Sequence, residues 1–211
     1  MKHVFRRKPL VICGPSGVGK GTITDLLLKT HPISFSKAVS HTTRQPRAGE
    51  LPGRDYHFVE RFEHMQEKIS QGEFIEYAKV HGNLYGTSFA TLHSIDHVLN
   101  RICVLDIDVA GLRQINQVMS LGPGHHHNPQ VNRVGIIPNS LAELERRLRG
   151  RNSETEANIR KRLQAAEEEI RAIKEDGIVD HVIVNEDSWK VGYPRLEQLL
   201  EEWYPQVFTA H

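Results

Sequence analysis

The sequence lacks several features that would point to particular classes of protein. Its 211 residues include only two cysteines, each inside an apolar run, which argues against a disulfide framework and for buried, reduced thiols. No apolar run approaches the ~20 residues of a membrane span. The formal net charge of +1 provides no field that would attract DNA or an anionic membrane. The basic start, MKHVFRRKP, leads directly into an apolar strand and lacks the apolar stretch of a secretory signal. We therefore expect a cytoplasmic protein without nucleic-acid or membrane partners.

Four continuous apolar runs alternate with helical patterns and predict the core of the protein. The runs lie at residues 9–13, 102–107, 134–137 and 181–184. Continuous apolar strands separated by helices are typical of a parallel sheet that is covered by helices on both faces. The predicted fold class is therefore α/β.

Between the first helix and Arg101 the pattern changes to short segments that alternate polar and apolar residues. Residues 55–59 and 74–77 show this alternation, and a helical pattern over residues 61–71 separates them. We predict a small mixed insertion here and place it at residues 39–88.

Two helix starts follow one another in residues 140–165. Ser140 with Glu143 forms one candidate capping box and Ser153 with Glu156 forms a second, and an arginine-rich stretch lies between them. A helix, a break and a second helix predict a lid at residues 140–165. The core domain then comprises residues 1–38, 89–139 and 166–211.

The segment GPSGVGKGT, residues 14–22, has the form of a phosphate-binding loop. It follows an apolar strand and opens a helix, the setting in which backbone N–H groups and a helix N-terminus bind phosphate. Lys20 would bring its charge to the β- and γ-phosphates of a nucleotide. The next residue is Gly21, where the usual pattern has the Ser or Thr that often binds Mg²⁺. We predict a core of the P-loop NTPase type.

A second apolar strand ends in acidic residues. Asp106 closes the run ICVLD, a usual place for a metal-facing carboxylate in phosphate-loop proteins. Asp108 would lie on the same side if the strand continued. Alternatively, both are acids at the N-terminus of the following helix.

The inserted segment carries groups suited to a second phosphorylated ligand. Arg44 and Arg47 offer forked donors for a phosphate monoester, with a solvated charge cluster as the alternative. Glu76 adds a carboxylate, which can accept hydrogen bonds from N1–H and N2–H₂ of guanine, whereas adenine has no such pair. A buried acceptor left unpaired by the wrong base costs free energy, so Glu76 is the candidate for selecting guanine.

Three consecutive histidines occupy the stretch SLGPGHHHNPQVN, residues 120–132. Consecutive side chains do not converge well on one metal, and this stretch contains no Cys or carboxylate. We interpret it as a surface loop, with weak metal binding as the alternative.

Several separated motifs resemble those of the guanylate kinase family of nucleoside monophosphate kinases. In chain order they are GPSGVGKGT, SHTTRQPRAGELPGRDYHFV, GEFIEYAKVHGNLYGTS, ICVLDIDVAG, RLRGRNSETEANIRKRL and VIVNED. The resemblance implies Mg²⁺-dependent, direct in-line transfer of the γ-phosphoryl group of ATP to GMP, and to dGMP. It also implies a fold of three parts, namely a parallel core, a GMP-binding domain and a lid. We expect a monomer.

The resemblance implies roles for the residues that match the family's motifs. The catalytic residues would be Lys20, Arg44, Arg147, Arg151, Arg162 and Asp106. ATP would be bound by Gly14, Pro15, Ser16, Gly17, Val18, Gly19, Lys20, Gly21 and Thr22, with Asn185 near the adenine. GMP would be bound by Ser40, Arg44, Arg47, Tyr56, Glu76, Tyr85, Thr87 and Asp108. Thr87 stands where the family often has Ser.

Gly21 departs from the family's pattern, because guanylate kinases commonly carry Ser there. The GKGT form is familiar from adenylate kinases, which resemble this chain only at the loop. We therefore expect no direct protein ligand for Mg²⁺, with Asp106 contacting the ion through water and Thr22 contacting a phosphate.

Two other functions stay open at this point. Guanylate-kinase-like domains of scaffold proteins bind phosphorylated peptides without catalysis, but they typically lose the loop lysine or glycines, which this chain keeps. The GKGT form also allows adenylate kinase-like acceptor specificity, against which Glu76 and the whole inserted segment argue.

Overall fold

The main sheet of the computed structural model contains five parallel strands. The structure describes residues 5–80, 82–120, 130–150, 155–186 and 189–208. The strands are β1 (Leu10–Cys13), β2 (Phe35–Lys37), β7 (Ile102–Ile107), β8 (Asn132–Pro138) and β9 (His181–Asn185), in the spatial order β2-β7-β1-β8-β9.

Both faces of this sheet are buried, as the continuous apolar runs predicted. Leu10 and Ile12 of β1 belong to one hydrophobic cluster, whereas Val11 and Cys13 point to the other face and belong to a second. Helices α1 (Lys20–Thr30), α7 (Trp189–Trp203) and α8 (Pro205–Phe208) pack on the first face. On the second face lie α3 (Phe89–His93), a π-helix (Ser94–Val98), α4 (Val109–Ser120) and the C-terminal part of α6 (Glu156–Glu175). The α/β prediction is confirmed.

The inserted segment forms a second, mixed sheet of four strands. These are β3 (His41–Thr42), β4 (His57–Phe58), β5 (Phe74–Val80) and β6 (Asn83–Ser88), in the order β4-β3-β6-β5. β3 and β4 pair in parallel and the other pairs are antiparallel. Helix α2 (Phe62–Ser70) covers one face, where Met65 packs with Phe74 and Leu84.

The predicted lid region contains α5 (Leu141–Arg149) and the first half of α6, and Leu144 and Leu148 of α5 pack against Leu163 of α6 and against Ala166, just beyond the predicted lid. The hydroxyl of Ser140 accepts a hydrogen bond from the N–H of Glu143, as predicted. The second predicted helix start is wrong. The N-cap of α6 is Thr155, whose hydroxyl accepts from the N–H of Asn158, and Ser153 lies outside the described residues. The predicted boundary between residues 165 and 166 falls within α6, and the domain division stays a prediction.

Both cysteines are free and buried, and burial raises the pKa of the Cys13 thiol to about 12. Across the described ranges, none of the helices has the length and apolar character needed to span a bilayer. The three consecutive histidines lie outside the residues that the structure describes.

Candidate active site

The phosphate-binding loop connects the end of β1 to the start of α1, as its sequence pattern predicts. Gly14, Gly17 and Gly19 have positive φ angles of 148°, 89° and 101°. A Cβ atom on Gly14 would lie 2.1 Å from the carbonyl oxygen of Ile136, and one on Gly19 would lie 2.6 Å from Nδ2 of Asn185. Both the backbone conformation and the close packing therefore require glycine at these positions.

The ammonium group of Lys20 lies against the loop itself. Nζ donates hydrogen bonds to the carbonyl oxygens of Gly14 at 2.6 Å and Pro15 at 3.2 Å. The cation is thus held at the loop by carbonyl oxygens, which phosphate oxygens of a nucleotide can replace as acceptors.

Three side chains from later in the chain contact the loop from other elements. Nδ2 of Asn185 donates to the carbonyl oxygen of Val18 at 2.8 Å, and Nη1 of Arg147 donates to the same oxygen at 3.1 Å. Nη2 of Arg147 also donates to the carbonyl oxygen of Asn185 at 3.0 Å, and Nη1 of Arg162 donates to Oγ of Ser16 at 2.8 Å. The loop is therefore braced by β9 and by both helices of the predicted lid.

Two of the three predicted lid arginines thus reach the phosphate loop, whereas Arg151 lies outside the described residues. Asn185 is only 3% exposed, and its amide faces the loop. A contact between Asn185 and adenine stays a prediction, and supporting the backbone at Val18 is the role that its hydrogen bond shows.

Asp106 lies at the carboxyl end of β7, next to the start of α1. Its Oδ2 is the nearest atom, at 4.0 Å, to the place that a Cβ on Gly21 would occupy. Nζ of Lys37, which the sequence analysis did not single out, lies 4.0 Å from the same oxygen. Burial raises the pKa of Asp106, and the positive charges of Lys20 and Lys37 partly offset that rise.

Asp108 does not share the strand face with Asp106, because β7 ends at Ile107. Its Oδ1 accepts a hydrogen bond from the N–H of Gly111 at 2.8 Å, at the start of α4. The alternative interpretation, an acid at a helix N-terminus, is therefore right for Asp108. The structure nevertheless brings this residue close to Glu76, since both carboxylates lie beside Gly111.

The side chains of strand β6 alternate between the two faces of the second sheet. Leu84 packs against α2, so Tyr85 and Thr87, at odd spacing from it, point to the opposite face. Thr87 pairs with Glu76 across the two strands, and its hydroxyl oxygen lies 3.2 Å from that of Ser40. Four predicted GMP-binding residues are therefore brought onto one face.

The carboxylate of Glu76 is buried, with 8% of the residue exposed. Burial raises its pKa, the nearby charge of Asp108 adds to the rise, and hydrogen bonds from Thr87 oppose it. A Cβ placed on Gly111 would be 3.4 Å from Oε2 of Glu76 and 3.5 Å from Oδ1 of Asp108. The two carboxylates therefore flank the start of α4, and a ligand with N–H donors would relieve the cost of burying the one on Glu76, whereas Asp108 is exposed.

Arg44 is joined to the same cluster through aromatic rings. Its guanidinium carbon lies 5.3 Å from the ring centroid of Tyr56, and the rings of Tyr56 and Tyr85 are 6.0 Å apart. Arg47 is exposed in this region.

Glu50 is a functional candidate that the sequence analysis missed. Its two carboxylate oxygens accept hydrogen bonds from Nη1 and Nη2 of Arg44 at 3.0 and 2.9 Å, and the backbone N–H of Arg47 donates to it at 2.7 Å. The hydrogen bond from Arg44 is the main reason why the pKa of Glu50 is lowered. The sequence contains a weak signal for this pairing, since Glu50 follows the two arginines within one turn-rich motif.

Both clusters connect to the carboxyl ends of strands in the parallel sheet, where α/β folds bind ligands. β1 leads into the phosphate loop, β7 into the two aspartates and β9 into Asn185. The arrangement offers one cationic, glycine-rich loop suited to polyphosphate and one mixed cluster with a carboxylate, hydroxyls and arginines suited to a second anionic ligand.

Comparisons with known proteins agree with this arrangement. A family model described as "Guanylate kinase" matches residues 6–203. The chain is 44% identical over 204 residues to guanylate kinase of Sus scrofa, covering 97% of this chain and 98% of that protein. It is 46% identical over 195 residues to guanylate kinase of Homo sapiens, with coverage of 92% and 93%. A crystal structure of guanylate kinase from Anaplasma phagocytophilum is similar with a TM-score of 0.63 and 31% identity, covering 96% of this chain and 89% of that one. The chain therefore belongs to the guanylate kinase family of enzymes.

Proposed function

We propose that this chain transfers the γ-phosphoryl group of ATP to GMP, giving ADP and GDP, and that it accepts dGMP as well. The observation that carries the proposal is the buried carboxylate of Glu76, held beside Thr87 and close to Asp108. Guanine presents N1–H and N2–H₂ to such a carboxylate, whereas adenine has no such pair of adjacent donors, so the desolvation cost of the carboxylate is not offset. The acceptor residues are assigned to the base and the phosphate, so the ribose 2′-hydroxyl is not required.

The donor nucleotide is assigned to the phosphate loop. Its glycines allow the backbone to approach the phosphates, and Lys20, already at the loop, exchanges the Gly14 and Pro15 carbonyl oxygens for phosphate oxygens. Arg162, hydrogen-bonded to Ser16 of the loop, adds a second cation at this place.

The acceptor phosphate is assigned to Ser40, Arg44, Arg47 and Tyr56. These residues connect to the base-reading group because Ser40 contacts Thr87 and Tyr56 contacts Tyr85. Hydroxyl donors and forked guanidinium groups suit the three oxygens of a phosphate monoester.

The reaction proposed is a direct in-line displacement. An oxygen of the GMP phosphate forms a bond to the γ-phosphorus of ATP while the bond from that phosphorus to the β–γ bridging oxygen breaks, and ADP leaves. Positioning of the two nucleotides and stabilisation of the equatorial oxygens by Lys20 and the arginines supply the rate. A cysteine intermediate has no support, since burial raises the pKa of Cys13 to about 12.

We propose Mg²⁺ as the cofactor, arriving with ATP. No cluster of three or more His, Cys, Asp or Glu side chains is placed to hold a metal in the described part of the chain. Gly21 contributes no side-chain oxygen, whereas Asp106 offers a carboxylate 4.0 Å from the Cβ position of Gly21. Mg²⁺ commonly combines one carboxylate with waters and substrate phosphates, so this donor set fits an ion held through water by Asp106. When bound, the ion would neutralise charge on the β- and γ-phosphates.

A coupled assay for ADP release tests the proposal, with GMP, dGMP, AMP and UMP as acceptors over a series of Mg²⁺ concentrations. We expect turnover with GMP and dGMP that depends on Mg²⁺, and little with AMP or UMP. Preference for AMP would instead support adenylate kinase-like specificity, and binding of GMP without turnover would support an interaction module. The folded Lys20→Ala variant, checked by circular dichroism, is expected to lose transfer.

The stereochemistry at phosphorus separates the direct route from a two-step route. With ATP made chiral at the γ-phosphorus, a single in-line displacement inverts the configuration. Retention would show a phosphoryl-enzyme intermediate and refute the direct mechanism.

A further inference from the structure

Gln114 of α4 forms two hydrogen bonds with the backbone of a single residue in strand β5. Its Oε1 accepts from the N–H of Tyr77 at 3.0 Å, and its Nε2 donates to the carbonyl oxygen of Tyr77 at 2.7 Å. β5 lies at the edge of the second sheet, so the outward N–H and C=O groups of alternate residues face no further strand among the described residues. The carboxamide of Gln114 takes the place that a further strand would occupy at Tyr77.

This contact lies next to the residue that is assigned to the purine. Tyr77 directly follows Glu76, and the pairing of β5 with β6 shifts register between Phe74 and Glu76. Such an irregularity interrupts the ladder just before Glu76, and regular pairing with β6 resumes at Glu76. The contact with Gln114 adds a second restraint on the strand directly after this interruption.

Helix α4 contacts β5 at two points along one face. Gly111 lies beside the Glu76 carboxylate, where a Cβ would be 3.4 Å from Oε2, and Gln114 follows three residues later. Residues three apart lie on the same side of a helix, so a single surface of α4 meets both the Glu76 side chain and the Tyr77 backbone. The same helix begins with the hydrogen bond from Gly111 to Asp108.

We propose that Gln114 is a positioning residue for guanine recognition. By fixing the Tyr77 backbone against α4, it holds the Glu76 carboxylate beside Asp108 at the start of that helix. The inference rests on the proposed role of Glu76 in reading the base. Gln114 would affect recognition without contacting the nucleotide, because a small displacement of the Glu76 carboxylate has a large effect on rate.

The test compares Gln114→Met with Gln117→Met. Methionine keeps the length of the side chain and removes both hydrogen-bonding groups, and Gln117 is an exposed glutamine on the same helix. Steady-state kinetics are measured with GMP and with inosine monophosphate (IMP), whose base keeps N1–H and lacks the 2-amino group. Because GMP alone uses both donors, the ratio of kcat/KM for GMP to that for IMP reports where the carboxylate lies.

For Gln114→Met we expect the KM for GMP to rise roughly tenfold, which is about the effect of one lost hydrogen bond. We expect the GMP-to-IMP ratio of kcat/KM to fall by a similar factor. The KM for ATP and the values of Gln117→Met should stay close to wild type. If Gln114→Met does not fold, Gln114→Glu serves instead, because an ionised carboxylate cannot donate to the Tyr77 carbonyl oxygen. The same fall in the ratio is expected.

Two controls separate failure of this inference from failure of the proposed function. Wild-type protein must phosphorylate GMP, and Glu76→Gln must reduce the GMP-to-IMP ratio; if either result is absent, the assigned function or the role of Glu76 is wrong. With both in place, an unchanged ratio in folded Gln114→Met would overturn the role of Gln114. A variant that lowers Tm and lowers kcat equally for both acceptors would also overturn it, because that is the result of a purely structural contact.

Discussion

Replacing Glu76 with glutamine should stabilise the protein and impair its use of GMP. The substitution keeps the size of the side chain and removes a charge from a residue that is 8% exposed. An ionised carboxylate forms charge-assisted hydrogen bonds with N1–H and N2–H₂ of guanine, each worth about 1.5–3 kcal/mol. Glutamine keeps one acceptor oxygen but turns an NH₂ donor toward the second guanine donor, so one bond is lost and the other loses its charge assistance. Together these changes lower kcat/KM for GMP by about a hundredfold.

The stability effect depends on pH in a direction that the structure defines. Burial raises the pKa of Glu76 above its ordinary value of 4.5, so the folded state holds the proton more tightly than the unfolded state. Well below pH 4.5 the carboxyl group is protonated in both states, so it does not lower the free energy of unfolding. As the pH rises through the folded pKa, ionisation of the wild-type residue destabilises the fold, whereas glutamine has no such cost.

Glu76→Gln should therefore be more stable than wild type at pH 8 by about 1–3 kcal/mol, the usual cost of a buried polar group that is poorly satisfied. For a chain of this size that corresponds to roughly 2–4 °C in Tm for each kcal/mol. Thermal unfolding at pH 8 and pH 4 measures the effect, and the coupled assay measures kcat/KM for GMP. Wild-type activity with GMP, or a Tm difference that is the same at both pH values, would refute the reasoning.

Three further substitutions test the donor half of the site. Gly14→Ala places a Cβ atom 2.1 Å from a backbone carbonyl oxygen at a φ of 148°, so we expect a loss of about 3 kcal/mol or more in urea unfolding; a fully stable variant would contradict the loop geometry. Arg147→Met removes the hydrogen bonds to the Val18 and Asn185 carbonyl oxygens, and we expect the KM for ATP to rise roughly tenfold in steady-state kinetics while the KM for GMP stays near wild type. At Gly21→Ser the nearest atom to the new Cβ is at 4.0 Å, so the side chain has room. Activity in a Mg²⁺ titration should stay within about threefold of wild type, and an inactive but folded variant would contradict the water-mediated role of Asp106.

The core of the fold was predictable because burial on both faces leaves a continuous apolar pattern. Strand β7 has the bounds that were expected, and β1 is completely buried. Strand β2 was not predicted, since FSK is too short and too polar to form a pattern. The π-helix at Ser94–Val98 was also missed, because the wider turn depends on how the segment packs rather than on a distinct residue pattern.

The candidate site was predictable where one motif contains its own geometry. The glycines and Lys20 of the phosphate loop are such a case, since their spacing already defines the turn and the helix start. Partnerships between distant residues were predictable only through the family resemblance, as for Arg147 and Arg162 at the phosphate loop. No local pattern shows that Gln114 contacts Tyr77. The capping role of Asp108 depends on where β7 ends, and the sequence was compatible with two positions for that end.

The cations of the site share a feature that bears on how specificity arises. Lys20 donates to two loop carbonyls, Arg147 donates to one loop carbonyl and to that of Asn185, and Arg44 is paired with the carboxylate of Glu50. Phosphate binding at Lys20 or Arg44 is therefore an exchange of acceptors, and its net free energy is a difference between similar interactions. Glu76 differs, because its burial raises the free energy of its ionised form until donors arrive. With the residue roles proposed above, the phosphates are bound with little preference among nucleotides, and we expect the preference for guanine to come chiefly from the buried carboxylate.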